Sequence, residues 1–145
     1  MALLEKQLEV KESGIPGAGK GLFTTKFIPK GTRIAEYKGR IRTWKEVENE
    51  HSNYYIFYVD ENHVIDAGRL KTSIARYIND AKGLKKIKGL SNNAEFVVDG
   101  LKAFVEAKKD IPAGAEIFVA YGKEYWDVIR NNLKLDVKKQ KGHLN

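Results

Sequence analysis

The sequence predicts a mostly β protein of several small sheets joined by short helices. Three observations predict it. Short runs of alternating or β-prone residues recur along the chain, from Leu22-Phe-Thr-Thr to Ala94-Glu-Phe-Val-Val98. Turn signals such as Asp60-Glu-Asn and Asp99-Gly100 separate them. No strand–helix–strand alternation appears, which argues against a parallel sheet or a Rossmann domain.

At 145 residues the chain is one domain by size, and 42% hydrophobic residues suffice for a core. It has no cysteine, so disulfides, thiolate zinc sites and cysteine nucleophiles are excluded. His51, His63 and His143 have no ligand spacing, so no metal site is expected. No long apolar run suggests a membrane span or a signal segment, and an intracellular location, in cytoplasm or nucleus, is the expectation. The 26 Lys and Arg exceed the 19 Asp and Glu, for a net charge of +7. The excess concentrates at Lys82 to Lys88 and in the tail from Lys134. Such runs attract phosphates or acidic surfaces, or simply solubilise a face.

Taken in order, Leu3 to Lys11 reads as a first strand with Leu8 and Val10 inward. Gly14 to Gly21 nearly matches a phosphate-binding P-loop, but Gly21 stands where the magnesium-ligating hydroxyl belongs, and β-prone residues follow instead of a helix. An NTPase is therefore rejected. What is left is a glycine-rich loop, either an ordinary turn or bare backbone that approaches a ligand. Ile28-Pro29-x-Gly31-x-x-Ile34 is echoed about eighty residues later by Ile111-Pro112-x-Gly114-x-x-Ile117. Each unit leads to a tyrosine near a glycine, Tyr37 and Tyr121, and two such units can pair. Thr43 caps a short helix over Trp44 to Glu50. Residues 53 to 59 and 63 to 65 form a hairpin. Leu70, Ile74, Tyr77 and Ile78 fall at helical spacing, which predicts a one-sided helix from Leu70 to Ile78. A hairpin spans Ala94 to Ala107 around Asp99-Gly100. Ile117 and Val119 alternate with Glu116 and Phe118, a strand with one face in the core. Tyr121 ends it, either as a core tyrosine or as a hydroxyl presented to a ligand beside Gly122. Glu124 to Leu133 reads as helical, and the remainder as a polar tail.

With these segments placed, the chain resembles a SET domain, the fold of protein-lysine methyltransferases. Gly19-Lys20-Gly21-Leu22-Phe23 is similar to the family's cofactor segment, and Glu36-Tyr37-Lys38-Gly39 to its E-Y-x-G strand. Ala75-Arg76-Tyr77-Ile78-Asn79 resembles its R-[FY]-[IL]-N-H motif, and Gly114-Ala115-Glu116-Ile117 through Tyr121-Gly122 its closing motif. Each is weak alone, and the order of the four makes them strong. Two positions depart from the pattern. Asp80 stands for the family's His, and Arg40 for an acidic residue, a difference read as belonging to the substrate side.

The resemblance implies a β-clip-like SET fold over residues 1–132, with a C-terminal pseudoknot and a basic tail over 133–145. It implies a minimal form without zinc-binding flanking domains. It implies S-adenosylmethionine as methyl donor and a protein lysine as acceptor, in histones or other basic nucleic-acid-associated proteins. Tyr121 is then catalytic. Ala18, Gly19, Lys20, Asn79, Asp80 and Trp126 hold the donor, Asp80 through its backbone. Tyr37, Phe96 and Tyr125 line the lysine channel. A homodimer is left open, no membrane is implied, and nucleic acid enters only through the basic surface. The alternatives are a non-catalytic SET-like binding module and a small basic nucleic-acid-binding protein.

Overall fold

The structure, a computed structural model, describes residues 3–50, 55–70, 73–82 and 88–122. These residues form three antiparallel sheets of three strands each. In the first, β1 (Leu8–Glu12) and β9 (Glu116–Ile117) flank β2 (Lys20–Thr24). In the second, β3 (Arg33–Glu36) and β7 (Ala94–Asp99) flank β8 (Lys102–Ala107). In the third, β4 (Arg40–Arg42) and β5 (Ile56–Asp60) flank β6 (His63–Asp66). Helix α1 (Trp44–Val47) follows β4.

Local chemistry sets these elements. At the start of α1 the Thr43 hydroxyl accepts from the Glu46 amide while the Glu46 carboxylate accepts from the Thr43 amide, a reciprocal capping box. These bonds, the Thr43 backbone amide first, hold the Glu46 carboxyl below its ordinary range. The β7–β8 hairpin closes through Gly100, whose φ of 63° suits a residue without a side chain. The two Ile-Pro-x-Gly units are alike in three dimensions. Thr32 N–H donates to the Pro29 carbonyl and Ala115 N–H to that of Pro112, across Gly31 at φ 86° and Gly114 at φ 83°. Both are turns whose third residue must take positive φ. The units also pair, since Ile28 and Ile111 exchange two backbone hydrogen bonds of 2.9 and 2.8 Å.

The core gathers side chains from all three sheets, with Leu22, Ile28, Ile34, Ile78, Val105, Ile111, Ile117 and Val119 fully buried. Each contributes about 1.5–3 kcal/mol on leaving water.

Three sequence expectations are corrected. Leu70 to Ile78 is not one helix: the described part is a short 3-10 turn, Ile74–Tyr77, with Leu70 and Ser73 outside it. The Leu3–Lys11 segment opens with a 3-10 turn at Glu5–Gln7, and in β1 only Leu8 is buried while Val10 faces solvent. Finally, Glu116, Ile117, Phe118 and Val119 are all buried, so both faces of this segment are covered, not one. The reason is its position. Residues 118–119 are inserted between Asn79 and Ala94 and bridge to both in parallel. A late segment thus runs between two earlier ones, while the C-terminal residues expected to complete the pseudoknot lie outside the described residues. The helix expected over Glu124 to Leu133 lies outside the described residues.

Candidate active site

The glycine loop is held at its root by a buried acid. Glu116 accepts from the Ser13 hydroxyl at 2.7 Å and from the Gly14 amide at 2.8 Å. A Cβ at Gly21 would overlap the Glu116 carboxylate and displace it from Ser13 and Gly14. The loop closes when Ser13 N–H donates to the Gly19 carbonyl at 2.8 Å. Beyond that closure Ala18, Gly19 and Lys20 are exposed. Gly17 and Gly19 have positive φ, and no atom lies within 4 Å of the place a Cβ would take. The loop thus offers open backbone with the Lys20 ammonium beside it.

Asn79 reaches this loop. Its amide donates to the Lys20 carbonyl at 2.9 Å, and its own carbonyl accepts from Val119 N–H at 3.0 Å. One residue earlier, the Ile78 carbonyl accepts the Tyr121 hydroxyl. One residue later, Asp80 Oδ2 accepts Tyr121 N–H at 3.0 Å. Asp80 Oδ1 accepts from Asn92 Nδ2 at 3.0 Å and Lys82 N–H at 2.9 Å. Residues 78–80 therefore tie the loop on one side and Tyr121 on the other.

A second group of side chains is aromatic. Tyr37 and Phe96 lie edge to face at 5.9 Å between ring centroids, and Phe57 joins them at 5.8 and 5.0 Å. Tyr37 is buried and its hydroxyl donates to the Tyr55 carbonyl at 2.8 Å. Tyr121 is partly buried and packs against the core cluster that contains Tyr37.

Of the residues singled out in the sequence, the structure brings Lys20, Asn79, Asp80 and Tyr121 together, with Ala18 and Gly19 on the same loop. Tyr37 and Phe96 form the separate ring cluster. Trp126 and Tyr125 lie outside the described residues. Sequence reasoning missed Glu116, Asn92, Asn93 and Phe57. Asn93 clamps the inserted segment, donating to the Glu116 carbonyl and accepting from Phe118 N–H. The signals were faint: an acid inside an apolar run for Glu116, and one ring among several in residues 53–59 for Phe57.

Comparison with known proteins agrees with this architecture. The SET domain family model matches residues 19–122. The chain belongs to the SET-domain family. It is 31% identical over 110 residues, 70% of its length, to the H3 lysine-4-specific histone-lysine N-methyltransferase of Schizosaccharomyces pombe, of which it covers 11%. It is 31% identical over 125 residues, 79% of its length, to putative histone-lysine N-methyltransferase 1 of Plasmodium falciparum, covering 2% of that protein. It is 29% identical over 126 residues, 84% of its length, to mouse PR domain zinc finger protein 14, covering 21%. The chain thus spans at most about a fifth of the length of these curated relatives. Among solved structures, the methyltransferase domain of human PR domain-containing protein 2 superposes with a TM-score of 0.61 at 23% identity, over 80% of this chain and 77% of that one. That likeness speaks for the fold alone.

Proposed function

We propose that this chain is an S-adenosylmethionine-dependent protein-lysine methyltransferase. The observation that carries the reading is the tie at residues 78 and 79. The Asn79 amide bonds the glycine loop at Lys20, and the Ile78 carbonyl bonds the Tyr121 hydroxyl. Donor-holding backbone and a candidate catalytic phenol are thereby fixed to adjacent residues.

The residues fit the donor. Its amino-acid end carries both charges, and the exposed backbone of Ala18 and Gly19, the Lys20 ammonium and the Asn79 amide supply matching groups. When bound, S-adenosylmethionine supplies an electrophilic methyl group on a sulfonium. The acceptor lysine must be neutral to attack. An aromatic channel disfavours the ammonium by removing water, and it aligns the nitrogen. Tyr37 and Phe96 are assigned to that channel, with Phe57 completing their cluster. Tyr121 acts by position and dipole, because a phenol is a poor general base near neutral pH. The Asp80 side chain is spent on Tyr121, Lys82 and Asn92, so its contribution to donor binding is by backbone.

We assign the acceptor to a basic, intracellular protein, histones included. Two of the relatives are histone-lysine N-methyltransferases by name, which supports this. No specific observation favours the nucleic-acid-binding reading, and Lys85 and Lys86 lie outside the described residues. Calorimetry with the methyl donor tests the proposal. We expect saturable binding that Asn79→Ala weakens at least several-fold. Absence of binding returns the chain to a SET-like binding module.

A further inference from the structure

A cleft of about 1100 Å³ opens at one end of the third sheet, and Arg40, Arg42, Glu50, Tyr55, Asp66 and Arg69 are in its lining. Its two acids are already engaged. Arg42 bonds Glu50 through Nη2 and Asp66 through Nη1, the latter at 2.8 Å. Arg40 and Arg69 are exposed and have no ion pair among the described residues. Arg40 and Arg42 project from the same face of β4, since alternate residues share a face. A further cation stands behind the wall. The Arg76 guanidinium stacks on the Tyr55 ring at 4.1 Å, and its buried Nε and Nη1 have no hydrogen-bond partner among the described residues. The cleft therefore presents two exposed guanidinium groups without an ion pair among the described residues, in a concave setting that suits an anion.

The cleft also adjoins the ring cluster. Tyr55 lines it, and the same residue's carbonyl accepts the Tyr37 hydroxyl at 2.8 Å. We propose that the cleft is a subsite for an acidic side chain of the protein substrate, close in sequence to the lysine that enters beside Tyr37. This rests on the methyltransferase reading for its meaning. A run of nucleic-acid phosphates fits less well, because Arg40 and Arg69 are the two lining cations without an ion pair among the described residues, enough for a single carboxylate and too few for a polyanion.

The test is fluorescence anisotropy with labelled lysine-centred peptides. Each carries one Glu or one Gln at successive flanking positions, and the whole chain serves as receptor. At one or two adjacent positions the Glu peptide is expected to bind roughly fivefold tighter than its Gln twin, with the gap narrowing as salt rises. Arg40→Glu with Arg69→Glu should abolish or invert the preference, and Arg69→Gln alone should reduce it. Equal binding of Glu and Gln peptides at every position overturns the proposal, as does a preference that survives both charge reversals. Duplex DNA competing more strongly than an acidic peptide overturns it in favour of a nucleic acid. Donor calorimetry on the same samples separates the two readings. Lost peptide discrimination with intact donor binding removes the subsite alone. Absent donor binding with intact discrimination removes the methyltransferase reading and leaves the anion-selective cleft.

Discussion

The carboxylate of Asp80 accepts the backbone N–H of Tyr121 at 3.0 Å, a contact spanning 41 residues of sequence. This acid stands where the SET pattern has a histidine. It is 7% exposed and among the described residues takes hydrogen bonds from Tyr121 N–H, Lys82 N–H and Asn92 Nδ2. It therefore works as a pin for the inserted segment.

Asp80→Asn replaces one accepting oxygen with an NH2 that faces another donor. The variant should lose about 1–3 kcal/mol of stability, the cost of stranding a buried polar group. Urea denaturation measures it. Turnover should fall further than stability requires, because the backbone that aims Tyr121 is released. An unchanged midpoint would mean that the pin bears no strain.

Gly21 and Glu116 form a second coupled pair. Gly21→Ala places a methyl on the Glu116 carboxylate, which Ser13 and Gly14 hold in place. We expect a loss of about 1–3 kcal/mol, comparable to overpacking. Glu116→Ala costs a similar amount by freeing the loop root. The double variant should cost less than the sum of the two, since the clash and the carboxylate vanish together. Strict additivity in a double-mutant cycle would refute the contact.

The Glu46 carboxyl titrates below the ordinary glutamate range in the folded protein, chiefly through the Thr43 backbone bond. A depressed folded pKa means that the cap's contribution is complete above the unfolded pKa and is lost as pH falls through the folded one. Glu46→Gln should therefore lower Tm at pH 7 and converge with the parent near the acid end of that window. Thermal melts across pH decide it. A gap that stays constant from neutral to acid pH would rule out the carboxylate as its source.

Much of the fold could be read from local chemistry. Thr43, Asp99-Gly100 and the paired Ile-Pro-x-Gly units carry their own turn and cap signals, and each forms where expected. The repeated unit even pairs with itself through Ile28 and Ile111. What local patterns could not carry is the insertion of residues 118–119 between Asn79 and Ala94. Alternation at Ile117 and Val119 describes a strand's own two faces, and says nothing of segments that arrive to cover the second face. For the same reason Glu116 read as solvent-facing, although it roots the glycine loop. The spacing of Leu70, Ile74, Tyr77 and Ile78 imitated a helix, but only one 3-10 turn forms in the described part. Ala75 and Ile78 are drawn into the core from that turn, and tertiary packing outweighs the helical period. The motifs brought Lys20, Asn79 and Tyr121 into view, whereas Phe57 and Asn93 became visible only with the contacts drawn.

The most direct measurement is transfer of a labelled methyl group. The protein is incubated with labelled S-adenosylmethionine and histones, and modified residues are located by mass spectrometry in parent and Tyr121→Phe samples. The account predicts label on lysine side chains with the parent, and turnover lowered about a hundredfold in the variant with donor affinity retained. No lysine label beside an active control enzyme, or a variant as fast as the parent, would contradict it.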